Sequence, residues 1–218
     1  MNGKFVYCNE SNSINLFGQE FWQRYSKKRL KFTFKGELKV LGAYFVSTIG
    51  IKEKEIEIEV NWSQEDLSKE GLFDEPFVDL SHLFDGCQLL KSVYLDFSDL
   101  ETKGLKKLNN MFNDCTSLME LKILNFNPKN IMDMSSMFCN CTSLEGLPDI
   151  SNWNTEYVMD MSDLFNNCLS LITLPDISKW KTGKVMSMDC MFNSCSNLRE
   201  LPDISNWDVS NVITFEDM

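Results

Sequence analysis

The sequence predicts an α/β solenoid of about five coils of 26–28 residues, closed at its amino end by a small β-rich cap. The first observation is a pattern, Phe-x-x-Cys-x-x-Leu, that occurs five times: Phe84/Cys87/Leu90, Phe112/Cys115/Leu118, Phe138/Cys141/Leu144, Phe165/Cys168/Leu171 and Phe192/Cys195/Leu198. The second is its spacing. The Phe-to-Phe steps are 28, 26, 27 and 27 residues, within the roughly 20 to 29 residues of a leucine-rich repeat, whose coils bury their apolar side only by stacking on one another. The third is that residues 1 to 60 carry no copy of the pattern and alternate apolar with polar residues instead.

Each element follows from its residues. Asn15-Leu16-Phe17-Gly18 with EFWQRY reads as a short helix or turn ahead of the first strand. Leu30, Phe32 and Phe34, then Ile56, Ile58 and Val60, alternate as half-buried strands do, with Lys35-Gly36 as a hairpin turn between. Residues 1 to 60 are expected to cap the apolar face of the first coil. Residues 61 to 77 form a polar connection, and the repeats run from 78 to 218.

Within a coil, Val-x-x-Met is expected to be extended, Ser135 and Ser162 to cap a short helix carrying the Phe, and Leu-x-x-Leu to form the strand. Pro148, Pro175 and Pro202 end that strand, because proline cannot donate to a ladder. Asp-Ile-Ser-x-Trp then makes a single helical turn. The columns Ile131/Val158/Val185, Met134/Met161/Met188 and Ile150/Ile177/Ile204 read as core, and Trp153/Trp180/Trp207 as core or core margin.

Here the residues carry a resemblance. LPDISNWNTEYVMDMSDLFNNC and LPDISKWKTGKVMSMDCMFNSC are similar to the repeats of BspA-like leucine-rich-repeat surface proteins, the mycoplasma-lipoprotein type also found in protists. NLFGQEF and RLKFTFKGELKVLGAYF resemble the segment that caps such repeats. The resemblance implies an adhesin or interaction module without catalytic activity. VYLDFSDL and LKILNFNP depart from the pattern where LPDISNW would stand.

Composition narrows the function. Net charge is −11, divided as +3 over residues 1 to 60 and −14 over the rest. An acidic repeat body repels polyanions, so nucleic acid is not an expected partner and a basic protein is. No run approaches the roughly 18 apolar residues of a membrane span, and MNGKFVYCNESNS lacks the basic and apolar regions of a secretory leader. A cytoplasmic protein is therefore expected; the alternative is a cell-surface adhesin without its leader.

Five of the eight cysteines share one repeat position and read as buried, reduced thiols. Cys139-x-Cys141 lacks the second pair a zinc site needs, and His82, the only histidine, reads as a surface residue. Asp149, Asp176 and Asp203 read as turn caps in preference to cation ligands. No catalytic constellation or cofactor motif is present, so an enzyme is not expected.

Specificity is expected where the framework repeats and the residue does not. Within Leu-x-x-Leu the first such column is Lys91, Met119, Glu145, Ile172, Arg199; the second is Ser92, Glu120, Gly146, Thr173, Glu200. A non-enzymatic protein-protein interaction or scaffold module is the expectation, with Lys91, Met119, Glu120, Glu145, Ile172, Thr173, Arg199 and Glu200 facing the partner. Aligning NVITFEDM with YVMDMSDLF places Met218 one residue before a sixth Phe position. Self-association or a partner contact through residues 201 to 218 is expected, with Trp207, Val212 and Phe215 at its centre.

Overall fold

The computed structural model describes residues 1–8, 13–25, 31–34, 37–40, 45–47, 54–62, 68–69, 77–98 and 102–218. The element order is β1 (Asn2–Cys8), β2 (Ser13–Asn15), α1 (Gln19–Tyr25), β3 (Lys31–Phe34), β4 (Glu37–Val40), β5 (Phe45–Ser47), β6 (Glu55–Asn61), β7 (Ser68–Lys69), β8 (Phe77–Val78), β9 (Leu90–Asp96), a 3-10 turn at Thr102–Gly104, and β10 (Glu120–Leu124).

The expected α/β leucine-rich-repeat solenoid is not what is found. Among the described residues the one α-helix, α1, lies ahead of the repeats, and no copy of the repeat contains an α-helix. The principal feature is a mixed six-stranded sheet, ordered β10-β9-β1-β6-β3-β4. Apart from α1 and the 3-10 turn, the described residues form sheet and turns.

Two physical reasons account for the correction. In each copy the segment expected to be helical contains two residues with left-handed backbone. One column is His82, Asn110, Ser136, Asp163, Cys190 and Asp217, with φ of 60, 56, 53, 56, 54 and 52°. The other is Gly86, Asp114, Asn140, Asn167 and Ser194, at 72, 56, 59, 59 and 60°. A right-handed helix cannot pass through such residues, and Asn, Asp and Gly tolerate the conformation best. The expected strand is also missing from three copies. Only β9 and β10 are strands, and they are the copies without the Leu-Pro-Asp that Pro148, Pro175 and Pro202 bring to the others. Proline has no N–H to give to a ladder, and the bonds that remain there are Ile172 N–H to Glu145 O at 3.1 Å and Arg199 N–H to Ile172 O at 3.2 Å.

In the amino-terminal part, β6 alternates exposed and buried residues along its length, with Ile56, Ile58 and Val60 inside, as its sequence predicts. α1 forms where EFWQRY stands and buries Phe21 and Tyr25. The Lys35-Gly36 turn and most of the 61–77 connection lie outside the described residues, although Phe34 pairs with Glu37 across that turn. Strand β1 pairs antiparallel with both β6 and β9, which makes one sheet of the amino-terminal segment and the first repeats. Phe5 meets the Phe84 ring edge-on at 4.8 Å, and Gly18 enters where a Cβ would stand 2.0 Å from His82 O.

Candidate interaction face

Successive copies are joined by backbone. The N–H groups of Phe84, Phe112, Phe138 and Phe165 donate to the residue before the Phe of the next copy, at 2.8 to 3.0 Å. The left-handed Gly86, Asp114, Asn140 and Asn167 donate likewise at 2.8 to 3.0 Å. A left-handed residue reverses its peptide relative to its neighbours, which lets alternate N–H groups point along the stack. Parallel bridges link Lys107, Asp133, Asp160, Ser187 and Thr214 in sequence.

The side chains fill the space so defined. The Phe rings stack at centroid distances of 5.5, 5.7, 5.8 and 5.7 Å. Each column thiol beyond the first donates to the Phe carbonyl of the preceding copy: Cys115 to Phe84, Cys141 to Phe112, Cys168 to Phe138 and Cys195 to Phe165, at 3.1 to 3.2 Å. All eight cysteines are free thiols. Burial pushes the thiols of Cys87, Cys115, Cys141 and Cys168 far up, because a thiolate there would lose its water. Cys139, also buried, is raised to about 11 by the same cause. None is a ready nucleophile.

The Trp column is core, with Trp153, Trp180 and Trp207 buried and the last two stacked at 6.4 Å. Trp180 Nε1 donates to Ile150 O and Trp207 Nε1 to Ile177 O, at 3.1 and 3.2 Å. Asp149, Asp176 and Asp203 accept from the N–H of Ser151, Ser178 and Ser205, each at 3.0 Å. Serine hydrogen bonds lower all three carboxyls. Ser135 and Ser162 are not helix caps. Their N–H and hydroxyl groups donate to Asp133 and Asp160, so the aspartates do the capping, and what they cap is a turn.

His82 corrects its reading as a surface residue. Its side chain is 15% exposed. Nδ1 lies 2.7 Å from Asp85 Oδ2 and Nε2 3.2 Å from Glu20 Oε2 of α1. Left-handed backbone, which histidine adopts more readily than most residues, explains its place in the repeat. Among the described residues no group of three or more His, Cys, Asp or Glu side chains converges as a metal site.

The variable residues separate into outward and inward ones. Met119, Glu120, Glu145, Gly146, Thr173, Arg199 and Glu200 are exposed, and Lys91, Ser92 and Ile172 half-buried. Met119 N–H donates to Lys91 O at 2.9 Å, and Lys91 is ion-paired with Glu55. With the two bonds of Ile172 and Arg199, the first column lies along the stack in two bonded runs, Lys91–Met119 and Glu145–Ile172–Arg199. At the carboxyl edge Trp207 is buried, Val212 half-buried and Phe215 exposed, so Trp207 serves the core and Phe215 alone of the three stands clear.

Sequence reasoning missed the left-handed columns and a second row of methionines, Met132, Met159 and Met186, which faces outward beside the buried Met134, Met161 and Met188. The buried Ile131, Val158 and Val185, each one residue before an outer methionine, carried part of that signal, since neighbours in an extended segment point to opposite sides.

A family model described as "Mycoplasma protein of unknown function, DUF285" matches residues 78–173 and 146–218, two overlapping stretches that together span the repeats. No curated protein matches the chain, and no solved structure does. No helix among the described residues is long and apolar enough to cross a membrane.

Proposed function

Because the chain belongs to the family of Mycoplasma proteins of unknown function, DUF285, which brings no activity with it, we propose from geometry that this is a non-enzymatic interaction module whose repeats present a row of changing side chains to a protein partner. One observation carries the reading. The framework Phe, Cys and Leu positions are buried in nearly every copy, while Met119, Glu145, Ile172 and Arg199 occupy the same position of successive copies and are chemically different, all exposed but the half-buried Ile172. Backbone holds such a row at about 4.8 Å per step, which suits an extended contact whose specificity resides in side chains. The resemblance of LPDISNW and its companions to BspA-like surface proteins supports an interaction role. The acidity of the repeats favours a basic partner.

The test is capture from native lysate by the full chain, against a variant carrying Met119→Asp, Ile172→Asp and Arg199→Glu. The expected outcome is a partner retained by the native chain and lost from the variant at unchanged thermal stability. Identical capture by both would refute the row as the contact surface.

A further inference from the structure

The second methionine row has no part in that contact. Met132, Met159 and Met186 follow one another at the same repeat position, with Lys106 before them and Ile213 after. Each donates its N–H to the carbonyl before it: Met132 to Lys106, Met159 to Met132, Met186 to Met159 and Ile213 to Met186, at 2.8 to 2.9 Å. Met132 is 37%, Met186 45% and Ile213 78% exposed. The three methionines, with Lys106, Lys107, Asp133 and Asp160, line one groove of about 410 Å³. Core packing does not require these thioethers, because Met134, Met161 and Met188 already fill the interior.

We propose that this groove receives an amphipathic helix of a partner protein, lying along the methionine row with an acidic end at Lys106 and Lys107. The proposal rests on the interaction reading above and names a second surface for it. A strand cannot pair here, since the row's own N–H groups are already given to its carbonyls. Spacing decides in the same direction. Rungs about 4.8 Å apart match the 5.4 Å turn of a helix better than the roughly 6.7 Å between same-side residues of a strand. Methionine is flexible and polarizable, which suits a groove that accepts helix side chains.

Charge sets the direction. Lys106 and Lys107 form a basic end within repeats that carry 10 Lys/Arg against 20 Asp/Glu over residues 78 to 218, net −10, whereas Asp133 and Asp160 line the groove farther along. The complementary helix is therefore acidic at the lysine end and basic beside its apolar stripe.

The experiment measures fluorescence anisotropy of the full chain with two labelled amphipathic helices of roughly four turns, leucines on one face and lysines flanking them. One ends in two glutamates and the other in two lysines. The glutamate-ended helix is expected to bind saturably and at least about tenfold tighter. Met186→Glu, at an exposed position, is expected to weaken it at least about tenfold and Met186→Leu to preserve it, while Lys106→Glu with Lys107→Glu reverses the preference between peptides. No saturable binding, equal binding of the two helices, or a Met186→Glu chain that binds as the native one overturns the proposal. If the peptide fails while the Met119/Ile172/Arg199 variant still loses its captured partner, the groove is wrong and the interaction reading stands. The reverse pattern overturns the row and retains the groove.

Discussion

Asn140 and Asn167 sit at φ 59° and pass a hydrogen bond between them, Asn167 Nδ2 to Asn140 Oδ1 at 2.7 Å, while Asn140 Nδ2 donates to Asp114 Oδ1 at 2.8 Å. The backbone needs a residue that accepts left-handed geometry, and the side chain adds a link between copies. A β-branched residue answers neither need. Asn140→Val is expected to destabilise the protein by about 2 to 3 kcal/mol, combining the steric cost of left-handed backbone with loss of the hydrogen bonds. Asn140→Gly keeps the backbone and is expected to lose only about 1 kcal/mol. Urea midpoints of the two variants distinguish these causes. Equal losses would mean that φ at this position carries no cost.

At the scale of the element, a copy of the repeat is a pair of turns held between two neighbours. Its stability comes from what it stacks on, since turns of this length bury little by themselves. Phe165 shows the consequence: its ring lies parallel to Phe138 on one side, at 5.8 Å and 3°, and to Phe192 on the other, at 5.7 Å and 11°. Removing it opens a cavity bounded by two rings that the rigid turn backbone cannot close. Phe165→Ala is expected to cost about 3 to 5 kcal/mol, read from thermal or denaturant unfolding. An unchanged midpoint would contradict the ring column. The strands β9 and β10 belong at this scale too. They form where the repeat pattern is weakest, because freedom from proline there leaves every N–H able to join the sheet.

Across the whole molecule, buried thiols couple stability to pH. Cys87, Cys115, Cys141 and Cys168 bind their protons far more tightly folded than unfolded, because burial disfavours the thiolate. A group with a raised folded pKa contributes its full share of stability below the ordinary value of 9.0. That share is lost as pH rises above it, since the unfolded chain then releases protons that the folded one retains. Chemical denaturation at pH 7, 9 and 10.5 is expected to show stability falling beyond pH 9. The fall should be shallower in a Cys141→Ala/Cys168→Ala variant, whose absolute stability is lower. A flat profile would mean that the column thiols ionise freely in the folded chain.

The sequence alone determined the period, the copies and the buried columns, because a residue that must meet its equivalent every 26 to 28 positions leaves a mark that needs no structure to read. It also determined β6, whose alternation is strong, but α1 only in part: its residues left helix or turn open and read as lying ahead of the first strand, whereas β1 and β2 precede it. It could not determine the class of fold. Asn, Asp, Ser, Cys and His share the left-handed columns with Gly, so those columns have no uniform residue signature. Nor did it separate the outer methionines from the inner ones. Which of two methionines set two residues apart faces water is decided by where the ladder places each carbonyl and by the neighbouring copy, and only the tertiary structure supplies both.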